Sequence, residues 1–228
     1  MTKAEENLIF FDWNGTLLSD ATACLRCMNV VLKKLGVSPI TRAQYQKHYT
    51  MPLDRLYHAV GVTPDVLLKN EHIIHPLYHE AYGAEKVRLR RGAKTMLHAL
   101  QKNTCKSVIL SNYVAVLIEK QAERLGVREH FDDVLAFHAY DDTFRKRGKG
   151  ERLKDYLKAR PARAGIIVGD TEEEVEIGRD IGLVTIAITD GMCSTARLRA
   201  MKPDYLVRSL DQISSIAQQV FGGRKRAS

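Results

Sequence analysis

Three short apolar runs each lead into side chains that could do chemistry. Residues 8–11 run into Asp12-Trp13-Asn14-Gly15-Thr16, residues 107–110 into Ser111-Asn112, and residues 165–168 into Gly169-Asp170-Thr171. A carboxylate, a hydroxyl and a second carboxylate thus follow three candidate strands. A carboxylate is a competent covalent catalyst toward phosphorus when a cation offsets its repulsion from the phosphate. Hard carboxylate oxygens such as those of Asp170 are also what Mg²⁺ prefers. A serine hydroxyl followed by backbone amides at a helix start can donate to phosphate oxygens. Each group has an ordinary role as well: an Asx-turn at Asp12, a helix N-cap at Ser111, and first-turn acids stabilised by the helix dipole in Glu172-Glu173-Glu174-Val175-Glu176.

These residues can act together only if the fold brings them to one rim. In open α/β sheets ligands bind beyond the carboxyl ends of the strands. Further apolar runs at 134–137, 184–188 and 205–207 alternate with amphipathic stretches near 93–102, 113–125, 150–159, 172–181, 194–201 and 210–221. The alternation predicts a doubly wound, Rossmann-like α/β core. Continuous rather than alternating apolarity predicts strands buried on both faces. Between 18 and 85 no strand-like run appears. Helical spacing persists there through Cys24, Met28, Val31, Leu32 and Leu35, and Pro39, Pro52, Pro64 and Pro76 are expected to cut the remainder into short helices. The expected organisation is a core of 1–17 and 86–228 with an all-helical insertion at 18–85.

Taken in order, Asp12-x-Asn14-Gly15-Thr16, Ser111, a lysine and Gly169-Asp170-x-x-x-Glu174 resemble the motifs of the haloacid dehalogenase superfamily. The resemblance spans nearly the whole chain, with the layout of phosphoglycolate phosphatases, and the helical insertion stands where that superfamily carries its cap domain. It implies that Asp12 is the nucleophile, forming an aspartyl-phosphate that water hydrolyses, with Thr16 in the same catalytic loop. It implies that Ser111, Asn112 and a lysine bind the phosphate. Lys149 fits that lysine best because it stands just before the amphipathic 151–157, with Lys146 the rival. It further implies Mg²⁺ held by Asp12, Asp170, Glu174 and the main-chain carbonyl of Asn14.

Asn14 departs from the pattern. Phosphatases of this superfamily place an aspartate there to protonate the leaving oxygen and then activate water. An amide cannot exchange a proton in that way, and positioned acid–base catalysis is worth about 10²–10⁴-fold. The reading preferred is a Mg²⁺-dependent phosphatase-like hydrolase of a small phosphorylated metabolite, slow or selective for leaving groups that need little protonation, such as acyl or aryl phosphates, or one whose substrate or water supplies the proton. The alternatives are a dehalogenase or other non-phosphatase member, and a catalytically weak phosphate-ligand binding protein. Asn14 is expected to point into the same site as Asp12, because alternate residues leaving a strand face the same way. Substrate choice is expected to fall to the insertion, whose candidates are His48, Tyr49, Arg55, Tyr57, His72, His75 and His79.

The 228 residues, with 45% hydrophobic and 27% charged side chains and a net charge of +8, describe an ordinary globular chain long enough to bury a core without disulfides. No apolar run reaches the roughly 18 residues of a membrane helix, and the N-terminal residues lack signal-peptide order. A cytoplasmic protein, monomeric or homodimeric and without a membrane partner, is expected. The basic clusters at 88–91, 145–149 and 224–226 accompany no nucleic-acid module, so a solvated surface is the preferred reading over nucleic-acid binding. Cys24-x-x-Cys27 has no second pair to complete a zinc site and is read as a packed helical pair.

Overall fold

The computed structural model describes residues 6–103, 105–138, 148–160 and 162–222. Six parallel strands form one sheet: β1 (Glu6–Phe11), β2 (Cys105–Val114), β3 (Asp133–Phe137), β4 (Ala162–Gly169), β5 (Val184–Ile188) and β6 (Tyr205–Val207). Their order is β3-β2-β1-β4-β5-β6. Helices α1 (Ala21–Lys34), α2 (Arg42–His48), α3 (Asp54–Ala59) and α4 (Pro64–Gly83) lie between β1 and β2, followed by α5 (Ala93–Lys102). The other helices among the described residues are α6 (Ala115–Leu125), α7 (Lys149–Ala159), α8 (Glu172–Ile181), α9 (Thr195–Ala200) and α10 (Asp211–Gly222).

The apolar runs are continuous because both faces of the sheet are covered. On one face Ile9, Phe11, Ile109 and Ile166 pack with Met96 of α5, Ile118 of α6 and Ile213 of α10. On the other, Leu8, Phe10, Val108 and Ile167 meet Leu153 of α7 and Ile177 of α8. Strand succession reverses at β1, which has β2 on one side and β4 on the other. The crevice at such a reversal is where doubly wound sheets place ligands. Phe11 pairs with Val168 in register, so Asp12 and Asp170 leave adjacent strands at that crevice.

The two chain crossings to the insertion lie side by side. Leu18 and Leu89 form an antiparallel bridge, Ser19 N–H donates to Arg88 C=O at 2.9 Å, and Arg90 N–H to Leu17 C=O at 2.8 Å. Inside the insertion Cys24, Cys27, Met28, Val31 and Leu32 of α1 pack with Leu67, Ile74 and Tyr82 of α4.

Two elements differ from expectation. Strand β2 continues to Val114, which pairs with Phe137 of β3 after a register shift, so Ser111 and Asn112 lie within the strand and α6 starts at Ala115. Pro64 occupies the first turn of α4, but Pro76 sits inside that helix rather than ending it. An interior proline costs about 3 kcal/mol, whereas burying Leu67, Ile74 and Tyr82 on the same helix returns roughly 1.5–3 kcal/mol for each large apolar side chain.

All four cysteines are free and buried. Burial raises the thiols of Cys24 and Cys27, the latter to about 11, as suits a packed pair. Among the described residues no helix is long and apolar enough to cross a membrane.

Candidate functional site

After β1 the chain coils through a single wide turn in which Leu18 N–H reaches Trp13 C=O at 3.0 Å. Gly15 takes φ +77° within it, and a methyl there would run into the Asp170 carboxylate, so the turn needs glycine twice over: for the left-handed backbone and for the close approach. Gly191 approaches the same carboxylate as closely. The turn places the Thr16 hydroxyl 2.8 Å from Asp170 Oδ1 and 3.3 Å from Asp12 Oδ2. Met192 N–H donates to Asp170 Oδ2 at 2.5 Å. Two buried carboxylates from adjacent strands therefore share one hydroxyl.

Lys149, the first residue of α7, supplies the cation. Its Nζ lies 2.8 Å from Asp12 Oδ1, donates to Glu174 Oε1, and stands 3.9 Å from Glu173 Oε2. The ammonium is 4% exposed, so its charge acts in a low-dielectric setting. Lys146 lies outside the described residues. Glu174 has a second engagement: its Oε2 accepts from the hydroxyl and the N–H of Thr171, at 2.6 and 3.2 Å, in the capping box that starts α8. Glu174 thus contacts Lys149 in the site and caps α8 at once, and neither contact makes it a metal ligand.

Burial pushes the Asp12 carboxyl well up; Lys149 opposes that rise, while Glu174 and Asp170 add to it. Asp170 is pushed up to about 6, first by burial and then by the charge of Glu174, with the bonds from Met192 and Thr16 pulling the other way. Burial alone would lower Lys149, but Asp12, Glu174 and Glu173 together raise it, so it stays charged. Among the described residues no three carboxylate, imidazole or thiol side chains gather as a closed metal site. The donors that do converge are Asp12 and Asp170 about Thr16. They fit a hard divalent cation: two buried oxygen donors, both raised by burial and by neighbouring negative charge, of which only Asp12 has an ammonium in contact.

Ser111 Oγ accepts from Tyr113 N–H at 3.1 Å, the capping role without a helix directly behind it. Asn112 Nδ2 donates to Glu173 Oε2 at 2.6 Å, and Arg152 holds Asn112 Oδ1 at 3.2 Å. Asn14 lines the same cavity as Asp12, yet its amide is turned to Asp20 Oδ2 at 2.7 Å and Tyr82 Oη at 2.9 Å. Tyr82 also donates to Asp20 at 2.6 Å, and Gly15 N–H reaches the other Asp20 oxygen at 2.7 Å.

Asp20, Tyr82 and Glu173 were not legible as site residues. Asp20 stands directly ahead of α1, Tyr82 comes from the far end of the insertion, and Glu173 is one of four neighbouring acids. The cavity over Asp12 takes in Tyr49, Tyr57, His75 and His79 from the insertion; His48, Arg55 and His72 are not on its wall.

The haloacid dehalogenase-like hydrolase model matches residues 9–188, which include Asp12, Ser111, Lys149 and Asp170. The chain belongs to that family. Within it, the chain is 25% identical over 213 residues to a phosphoglycolate phosphatase of Synechococcus elongatus, covering 93% of this chain and 98% of that protein. It is 20% identical over 227 residues to a phosphoglycolate phosphatase of Vibrio parahaemolyticus, covering 95% and 98%. A solved structure of a haloacid dehalogenase-like family hydrolase from Streptococcus pneumoniae superposes with a TM-score of 0.69 at 19% identity over 92% of this chain and 98% of that one. The structure of a predicted phosphatase from Clostridium acetobutylicum gives 0.79 at 18% identity over 95% and 100%. At such identities the structural likeness speaks for the family fold.

Proposed function

We propose that this chain is a cytoplasmic, Mg²⁺-dependent phosphatase of a small phosphorylated metabolite, acting through an aspartyl-phosphate on Asp12. The observation that carries the reading is the environment of Asp12: a buried carboxylate with the Lys149 ammonium 2.8 Å from Oδ1 and the Thr16 hydroxyl on Oδ2. Such a carboxylate can approach a phosphate dianion only where cations cancel the repulsion. The curated relatives carry phosphatase names, and the free cysteines suit a reducing compartment.

Asp12, Asp170 and the main-chain carbonyl of Asn14 would hold Mg²⁺, which when bound adds positive charge against the nucleophile and the phosphate. In the first step an Asp12 oxygen bonds to phosphorus and the bond from phosphorus to the leaving oxygen breaks. Lys149 neutralises Asp12 and faces the incoming phosphate; Ser111 offers its hydroxyl to a phosphate oxygen. Water then cleaves the acyl-phosphate, freeing inorganic phosphate and restoring Asp12. Asn14 moves no proton; its amide fixes the turn against Asp20 and Tyr82. Residues 18–85 serve as a cap over a core of 1–17 and 86–228, a division supported by the paired crossings at Leu18 and Leu89.

The test is phosphate release from alkyl, aryl and acyl phosphates, with Mg²⁺ and with chelator, for the wild type and Asp12→Asn. Release that needs Mg²⁺ and vanishes in a folded Asp12→Asn protein is expected. Wild-type rates in that variant would overturn the assignment, and halide release from a haloacid without Mg²⁺ would replace it with dehalogenase chemistry.

A further inference from the structure

The cavity over Asp12 measures about 120 Å³, of the order of the roughly 150 Å³ apolar cavity that takes up benzene. Its floor carries Asp12, Ser111 and Lys149, while its roof from the insertion is built on Met28, Met51, Leu56 and Ile74. One side is aromatic. The Tyr78 and Tyr82 rings stack 6.2 Å apart at 10°, and Tyr113 meets Tyr82 edge-on at 5.9 Å.

Three of the tyrosine hydroxyls on this wall are not offered to a sugar. Tyr82 donates to Asp20 at 2.6 Å, Tyr45 to Met192 Sδ at 3.6 Å, and Tyr78 is bonded to Cys24. Those hydroxyls are committed to protein partners, which leaves their rings as the surface a ligand meets. A second anionic group would fare no better. Among the described residues the wall has a single lysine or arginine, Lys149, and that ammonium already serves Asp12, Glu174 and Glu173. On the roof, burial and the neighbouring His75 lower His79 to about 4, so its ring is neutral near pH 7. Among the described residues, a carboxylate carried in on the leaving group would lose its water without gaining a lysine or arginine of its own.

Asn14 points the same way from a separate observation. With its amide held on Asp20 and Tyr82 and no proton to give, the site suits a leaving oxygen that departs without full protonation. A phenolic oxygen does this more readily than an alkyl one.

We propose that the site selects aryl phosphate monoesters, with an uncharged leaving group of about one ring, over esters that carry a second anion such as phosphoglycolate. This deepens the phosphatase reading and rests on it. Edge-to-face contacts with the tyrosine wall would seat the ring.

Two non-hydrolysable isosteres separate the possibilities: benzylphosphonate for phenyl phosphate, and 3-phosphonopropionate for phosphoglycolate. With the full chain in Mg²⁺, calorimetry should give benzylphosphonate a Kd about thirtyfold lower, the scale of burying one ring. Leu53→Lys, which places an ammonium at a half-buried position on the roof, should narrow or reverse that ratio. Equal affinities in the wild type, or tighter 3-phosphonopropionate, would overturn the aryl assignment while leaving phosphatase activity standing. Aryl preference in binding with no hydrolysis of phenyl phosphate, phosphoglycolate or acetyl phosphate would overturn the phosphatase reading beneath it.

Discussion

Asn14→Asp restores the superfamily's usual residue, and the structure assigns it a cost that depends on pH. The Asn14 amide nitrogen lies 2.7 Å from Asp20 Oδ2, and Asp20 is 1% exposed, with burial raising its carboxyl. A second ionised carboxylate at that 2.7 Å separation would be repelled by about 6 kcal/mol at an effective dielectric of about 20. Keeping one proton on the pair at pH 7 costs about 4 kcal/mol, from roughly three pH units above an ordinary aspartate at about 1.4 kcal/mol each. Protonation is the cheaper outcome, and an O–H···O⁻ bond replaces much of the lost N–H···O⁻ bond. The net loss is about 4 kcal/mol at pH 7, or roughly 8–16 °C in Tm for a chain of this size. The folded variant holds a proton that the unfolded chain releases above about pH 4, so the deficit grows as pH rises and closes as pH falls toward 4. Thermal and urea unfolding of both proteins at pH 5, 6, 7 and 8 should show the gap widening by about 1.4 kcal/mol per unit until the pair ionises fully. Adding Asp20→Asn should restore most of the stability by exchanging the two residues' roles. A gap that does not change with pH, or no gap, would refute the clamp. The proton retained at neutral pH also supplies the missing acid, so alkyl phosphate turnover should rise relative to aryl turnover, by at most about 10²–10⁴-fold. An unchanged ratio would mean that another group handles the proton.

Asp170→Ala should raise the Mg²⁺ concentration needed for half-maximal turnover before it affects folding; an unchanged metal titration would place the cation elsewhere. Tyr82→Phe removes the 2.6 Å bond to Asp20 and the one from Asn14, and urea unfolding should show a loss of about 1–3 kcal/mol, the range for leaving a buried acceptor short of a donor. His79, lowered to about 4, stays neutral in the folded protein while the unfolded chain binds a proton below about 6.5, so stability should fall as pH drops through that window. Because the ring is only partly buried, about 1–2 kcal/mol of that loss is expected, and His79→Gln should flatten it in Tm measurements between pH 4 and 7.

The parts legible in the sequence are those whose signal is local. Continuous apolar runs fixed six strands, and a residue just past a strand end has only one rim to occupy, so Asp12 and Asp170 could be placed before any contact was known. Lys149 could be preferred for its position ahead of an amphipathic stretch. Element ends fared worse where long-range contact decides them: β2 continues past Ser111 because Val114 finds Phe137 across the sheet, and α4 continues through Pro76 because its other residues are buried. Sorting Tyr49, Tyr57, His75 and His79 from His48, Arg55 and His72 needed the insertion folded over the strand ends. Asn14 shows the difference most clearly. Taken locally it is a missing proton donor. In the folded chain it is a donor of two N–H bonds, one to Asp20 and one to Tyr82, and an aspartate at that position would have one hydrogen to give, and only while protonated. The buried Asp20 carboxylate, fed by the Asn14 amide, Gly15 N–H and the Tyr82 hydroxyl, therefore requires an amide at 14 as much as the chemistry does without an acid there. Residues 14, 20 and 82 form a single device joining the turn that carries Asp12 to the roof above it, and any account of chemistry at Asp12 has to start from all three.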